Sequence, residues 1–244
     1  MEHELWLTAI LNKIIGGPVA ALLAALGTPA ADPAHPIPNY LAMELVVLAI
    51  ILVGAIMLRR QLSVERPGKF QQTMETVIEF TRDMNSDIIG HGSDRYIPMI
   101  ATLGIFILLC NLLGLIPTFY TPTASVPVPL ACAVVAFVYY NFHGIREHGP
   151  LGYLKHLCGP MMAIAWLMFP IEVFSNFLRM LSLTARLWAN MLVGGILEGI
   201  FTGLIPIVIP ALFMGLHVFV SFMQAYVFML LPAVYLSFAV SKEH

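Results

Sequence analysis

Glu172, Arg179 and Arg186 are spaced by seven residues, which at 3.6 residues per turn brings all three close to one face of a helix. Ser175, Ser182 and Asn190 fall on or beside that stripe, and Gly194 follows it. His217 and Gln224 are again seven apart and share a face. Ionisable groups in a spanning segment are expensive and usually face an aqueous path or a partner charge. A guanidinium cannot realistically be discharged (pKa above about 12), so it stands in such a line as a permanent positive wall.

The surroundings make these side chains unusual. Between His156 and Ser241 the only charged residues are Glu172, Arg179, Arg186 and Glu198. Glu172 lies fourteen residues from Arg186, roughly 21 Å along a helix. Nothing in the chain is placed to pair with Arg186 alone, so it asks for a carboxylate from another subunit. Arg179 either snorkels to an interface or takes a functional part. Glu198 either sits at a polar rim or takes a functional part, and His217 is either a packing histidine or, given its period with Gln224, a functional one.

The elements that must hold these residues read as helices in lipid. The chain has 244 residues, of which 59% are hydrophobic and 11% charged, and its mean hydropathy is +0.85. A soluble domain carries about 25% charged residues, so an ordinary water-soluble globule is excluded. A net charge of −2 and a pI near 6.4 leave no basic patch for nucleic acid. Residues 1–95 hold 17 of the 26 charges. Tyr96–Ile145 and Gly199–Ser241 hold none, and each is long enough for two crossings at about 20 residues apiece. The expected fold is therefore an all-α polytopic membrane protein.

Residues 5–26 suggest a short interfacial segment broken by Gly16, Gly17 and Pro18, and Pro29, Pro33, Pro36 and Pro38 an extended linker. Leu41–Leu58 is the first span, with a single Glu44 near its start and a basic stop at Arg59 and Arg60. Phe70, Met74, Val77, Ile78 and Ile88 recur at helical spacing opposite Glu75, Glu79, Arg82, Asp83 and Asp87. That pattern predicts a helix over 70–89 lying at the membrane surface, between Pro67 and Gly90. Ile97–Ile116 and Val126–Phe142 form a hairpin of two further spans. A loop over 143–160 carries Arg146, Lys155, His143, His148 and His156, and two long stretches follow, Met161–Ile209 and Pro210–Val240. Both exceed one vertical crossing, so they bend or form a steeply tilted hairpin.

Six Lys or Arg residues lie over 59–95 and only Lys13 over 1–40. The positive-inside rule then places residues 1–40 outside, and 59–96, 143–160 and the 241–244 tail in the cytoplasm. No basic n-region opens the chain, so residues 1–40 are expected to be mature protein. Cys110, Cys132 and Cys158 read as packed thiols, and His143, His148, His156 and Cys158 have spacings that fit no compact metal-ligand set.

Ser182-Leu-Thr-Ala-Arg186-Leu-Trp-Ala-Asn190-Met, followed by Gly194, resembles the signature of the a subunit (subunit 6) of F-type ATP synthases. Asn111-Leu-Leu-Gly-Leu-Ile-Pro117 resembles that family's N-L-x-G-L-x-P segment, and His217 to Gln224-Ala-Tyr-Val-Phe-Met with Tyr235-Leu resembles its last helix. The resemblance runs from about Pro38 to the C-terminus. It implies a stator wall beside a rotating c-subunit ring, anchored to the peripheral-stalk b subunit, in a bacterial inner (plasma) membrane. Arg186 would face the ring carboxylates and separate two offset aqueous half-channels for protons. Asn190 and Gln224 would flank it, and Glu172, Ser182 and His217 would be polar steps. No cofactor, metal or catalytic site of its own is implied.

Two places depart from the family pattern. Gly195 stands where many members carry an acidic residue or histidine, and Glu198, one turn later, is expected to take over. Pro122-Thr-Ala-Ser-Val-Pro-Val-Pro-Leu130 has Ser125 and Pro127 where the family has Asp and Asn, within the outer half-channel. A self-contained secondary transporter would show an internal repeat, and no second copy of the Arg186 segment occurs. An intramembrane hydrolase would need a nucleophile with a base or an H-E-x-x-H motif, and neither is present.

Overall fold

In the computed structural model the charge-free runs fold into long helices, and five are long and apolar enough to cross a membrane. The structure describes residues 6–25, 36–64, 66–90, 92–116, 119–149, 152–153, 165–202 and 208–240. In chain order the helices are α1 (Trp6–Ala25), α2 (Asn39–Gln61), α3 (Lys69–Ile89), α4 (Ile97–Leu113), α5 (Pro127–His148), α6 (Ala165–Thr202) and α7 (Val208–Val240). Short 3-10 turns at Ser93–Tyr96 and Pro122–Ala124 precede α4 and α5. There is no strand among the described residues. The chain is an all-α, multi-pass membrane protein.

The helix ends follow local chemistry. Pro98 opens α4, and Pro127 and Pro129 open α5, where a missing N–H costs nothing. Gly90 (φ 81°) stops α3, its N–H bonding Ser86 O, and Gly149 (φ 74°) stops α5. Both occupy backbone space that a side chain disfavours.

Several boundaries differ from the sequence expectation. The segment read as short and interfacial is one 20-residue helix, α1, running through Gly16, Gly17 and Pro18. Tertiary contacts hold it: Gly16 packs against Pro36, and the Asn12 amide brackets Ile37, donating to its O at 3.3 Å and accepting from its N at 2.9 Å. α5 runs six residues past Phe142, so His143, Arg146 and His148 sit on a helix rather than in a loop. α7 is described from Val208, so Pro210 lies within its first turn, where proline is tolerated, rather than at its start. Lys155, His156, Cys158, Pro29, Pro33, Pro117, residues 161–164 and the 241–244 tail lie outside the described residues, as does the Glu198 side chain.

α7 is the centre of the packing and touches α3, α4, α5 and α6. Gly104 on α4 allows its close approach, since a Cβ there would collide with the Met229 side chain. Two apolar clusters result. One gathers Met84, Tyr96, Ile100, Tyr140, Met229 and Leu236. The other joins Leu103, Ile107, Cys132, Leu183, Leu187, Met191 and Phe228. Between spans the alternative to such contacts is lipid, as apolar as these side chains, so the clusters hold the helices by close packing rather than by leaving water.

α3 docks through a strip more polar than expected: Gln71, Thr81, Met84 and Asn85 are buried, while Phe70, Ile78 and Phe80 are exposed. Gln71 ties the α2–α3 connection by bonding the N–H and O of Ser63, both at 3.1 Å. Ser237 on α7 donates to Ile88 O at 2.8 Å. α6 has 38 residues, about 57 Å of helix, far beyond the roughly 30 Å of bilayer hydrocarbon.

Candidate functional site

The orientation of α6 is set by its buried face. Leu183, Leu187 and Met191 are 0–2% exposed and pack into the second cluster. Arg186 is thereby turned outward and exposed, in the middle of a surface formed by Leu178, Leu181, Val193, Ile196 and Ile200. Among the described residues Arg186 makes no hydrogen bond and no ion pair. Ser182, one turn earlier, is also exposed.

One turn beyond Arg186, α6 meets α7 through an amide pair. Asn190 Nδ2 donates to Gln224 Oε1 at 3.0 Å, and Gln224 is 3% exposed. Its own Nε2 has no hydrogen-bond partner among the described residues. One turn further, the buried His217 ring lies against Gly194: a Cβ there would sit 3.5 Å from Cε1 and 3.6 Å from Nδ1, in van der Waals contact with the ring. Ser221 Oγ donates to His217 O at 2.8 Å. Asn190, Gly194, Leu197, Phe213, Leu216, His217 and Val220 line a cavity of about 50 Å³, room for a few waters. Arg186, Asn190, Gln224 and His217 thus line one side of the α6–α7 pair, with His217 two turns from Arg186 rather than beside it.

Glu172 and Arg179 sit elsewhere, nearer the start of α6. Arg179 Nη2 pairs with Glu172 Oε1 at 3.5 Å, and Nη1 donates to Asn176 Oδ1 at 3.3 Å. The guanidinium also lies over the Tyr235 ring, 5.4 Å from its centroid, and Tyr140 OH donates to the same Asn176 oxygen at 3.4 Å. Nearby, Tyr153 OH donates to Asn141 Oδ1 at 2.8 Å. Burial pushes the Tyr153 phenol above its usual range; the Glu172 charge adds to this and Arg179 opposes it. Tyr153 therefore keeps its proton and remains a donor.

A third polar group closes the turn before α5. Thr123, fully buried, donates to Asn111 Oδ1 at 2.6 Å, and Tyr120 and Ser125 hydroxyls bond at 3.0 Å. Asn111 Nδ2 has no partner among the described residues. The Pro122–Ala124 turn touches α2 on one side and α6 on the other. Ser125 therefore occupies a packed corner of the molecule.

The sequence reading missed Asn176 and Tyr140. Asn176 stands four residues after Glu172 and three before Arg179, a helical spacing that could have revealed it. Nothing local points to Tyr140, which arrives from α5. No group of three or more His, Cys, Asp or Glu is arranged to hold a metal among the described residues. His143 stacks edge-on against Tyr96, with ring centroids 5.0 Å apart.

Comparison with known proteins adds the following. The family described as ATP synthase A chain matches residues 41–237. An ATP synthase subunit a of Koribacter versatilis (strain Ellin345) is 46% identical over 244 residues, covering 100% of both chains. One from Solibacter usitatus (strain Ellin6076) is 45% identical over 235 residues, 96% of this chain and 100% of the relative. One from Geotalea daltonii is 41% identical over 204 residues, 84% of this chain and 88% of the relative.

Proposed function

This chain belongs to the ATP synthase A chain family, and from that premise we propose that it is the stator wall past which a ring of c subunits turns. It is a membrane-sector component of an F-type ATP synthase. In the proposed mechanism two offset aqueous half-channels bring protons to and from carboxylates on the ring, and Arg186 separates them. The peripheral-stalk b subunit holds the wall still. The N-terminus faces outside and the C-terminus the cytoplasm, in keeping with the basic 59–95 segment.

One observation carries this reading: Arg186 is exposed in an apolar surface with no counter-charge among the described residues. A lone guanidinium facing lipid costs at least about 2.5–3.5 kcal/mol, and a carboxylate from a neighbouring subunit removes that cost. At 4 Å and an effective dielectric of 20 the attraction is about 4 kcal/mol, equivalent to about three pKa units on the partner. A ring carboxylate reaching Arg186 therefore releases its proton and recovers one after moving past. The guanidinium never discharges, so a proton cannot hop straight across.

The inner path is assigned to Glu172 and Ser182, and the outer path to Asn190, Gln224, His217 and their cavity. Glu198 is assigned to the outer path in place of a group at Gly195. ATP-driven acidification of vesicles holding the whole complex, with and without sodium, tests the reading. Arg186→Gln should assemble with the ring yet lose coupled pumping; coupled pumping that survives refutes it. Glu198→Gln with undiminished pumping removes Glu198 from the path.

A further inference from the structure

Glu44 is the only charged residue between Asn39 and Leu58, in the first membrane-spanning helix, and the Arg186 site makes no use of it. Its neighbours Met43 and Val47 are 0–1% exposed, facing inward where α2 packs against α4 and the Pro122–Ala124 turn. Glu44 is on the flank of that strip, half-buried, and makes no hydrogen bond or ion pair among the described residues. The carboxylate therefore stands on the flank of the strip by which α2 meets α4 and the turn.

The corner at that turn is already polar and incompletely satisfied. Asn111, next to Cys110, is fully buried and receives the Thr123 hydroxyl, while its Nδ2 has no partner among the described residues. At the α6–α7 contact Gln224 Nε2 is in the same condition. A buried donor left unpaired costs about 1–3 kcal/mol, and ordered water is the usual remedy. The Pro122–Ala124 turn joins the two places physically: it touches α2, and its Ala124 packs on the cluster that holds Leu187 and Met191.

Resting on the proton-path reading above, we propose that Glu44 is the proton-collecting carboxylate at the outer end of that path, feeding Asn111, Gln224 and the His217 cavity through intervening water. The carboxylate takes a proton from hydronium outside, giving water and the neutral acid. The acid passes a proton to the next inward water and returns to carboxylate. Nothing is oxidised, and each proton taken up is one proton delivered. An apolar span tolerates a lone carboxylate poorly; water on its flank and a proton in transit make it tolerable.

The test uses the whole complex, reconstituted in vesicles and checked for co-purification of its subunits. Glu44→Gln should slow proton-driven ATP synthesis about tenfold, below the 10²–10⁴ range of dedicated acid–base groups because water partly substitutes. Glu44→Asp should restore most of the rate. Ser125→Asp added to Glu44→Gln should also restore part of it, since that residue lies in the same corner; a structural role for Glu44 would not be rescued by a relocated carboxylate. Full flux in assembled Glu44→Gln overturns the assignment, as does the absence of rescue by both variants. If Glu44→Gln does not assemble, Glu44→Cys challenged with silver ion from outside decides: blocked flux supports the assignment and unaffected flux overturns it. Arg186→Gln measured alongside separates the two ideas. Loss of coupling there with full flux in Glu44→Gln sinks Glu44 alone, whereas coupling retained in Arg186→Gln sinks the underlying reading.

Discussion

Nearer the start of α6 the Arg179 guanidinium has a carboxylate at 3.5 Å, an amide oxygen at 3.3 Å and a tyrosine ring beneath it; seven residues later the Arg186 guanidinium has none of these among the described residues and faces out of the protein. Both lie on one helix and within about 20° of one face. Only the surroundings differ. Arg179 is met by α5 and α7 where they bring Tyr140 and Tyr235 inward, and its charge is answered inside the chain. Arg186 stands where α7 supplies the Asn190–Gln224 amide bond beside it and no acid. The difference teaches how one helix separates structural from working charge: a cation satisfied internally fixes the fold, and one left without a partner waits for another subunit.

The largest effect belongs to the unpaired cation. Replacing Arg186 by Ala or Gln should reduce proton-driven ATP synthesis at least about 100-fold while the chain still co-purifies with its partners. Arg186→Lys should not restore it, because a lysine is a localised and dischargeable charge. Equal losses in Arg179→Gln and Arg186→Gln would break the comparison.

The paired end should respond more mildly and reciprocally. Glu172 and Arg179 side chains are 34% and 28% exposed, so their interaction is worth about 0–1 kcal/mol. Glu172→Gln and Arg179→Gln should each slow proton flux a few-fold. The double variant should be no worse than the poorer single one, as measured by a double-mutant cycle. Additive losses would mean that the two act separately.

His217→Ala should leave coupling intact and slow flux by about tenfold or less; unchanged flux returns His217 to packing. Gly194→Val tests the same place from the other side, since its side chain would enter the imidazole's space, and it should slow flux as His217→Ala does. The smallest change is Thr123→Val, which removes the donor to Asn111. It should lower thermal stability by about 1–2 kcal/mol, with coupling little affected.

The sequence by itself determined the all-α membrane character, the five spans and the isolation of Arg186. Charge in a bilayer is so costly that 26 charges in 244 residues leave every exception visible. Helical period likewise determined that Glu172, Arg179 and Arg186 share a face and that His217 and Gln224 do. Helix ends were less legible. α1 persists through Gly16-Gly17-Pro18 because Asn12 and Gly16 clasp Ile37 and Pro36, and nothing local announces those contacts.

Only the tertiary structure decided which of two similar arginines is satisfied. It also placed Asn111 against Thr123, His217 against Gly194 and Glu44 beside the turn before α5. These depend on the lateral arrangement of helices that lie far apart in sequence. The apolar residues that line each helix are interchangeable around it, so periodicity gives the face a residue occupies but not the neighbour it meets. That neighbour is selected by close packing, at positions such as Gly104 where a missing side chain lets one helix, and not another, come near.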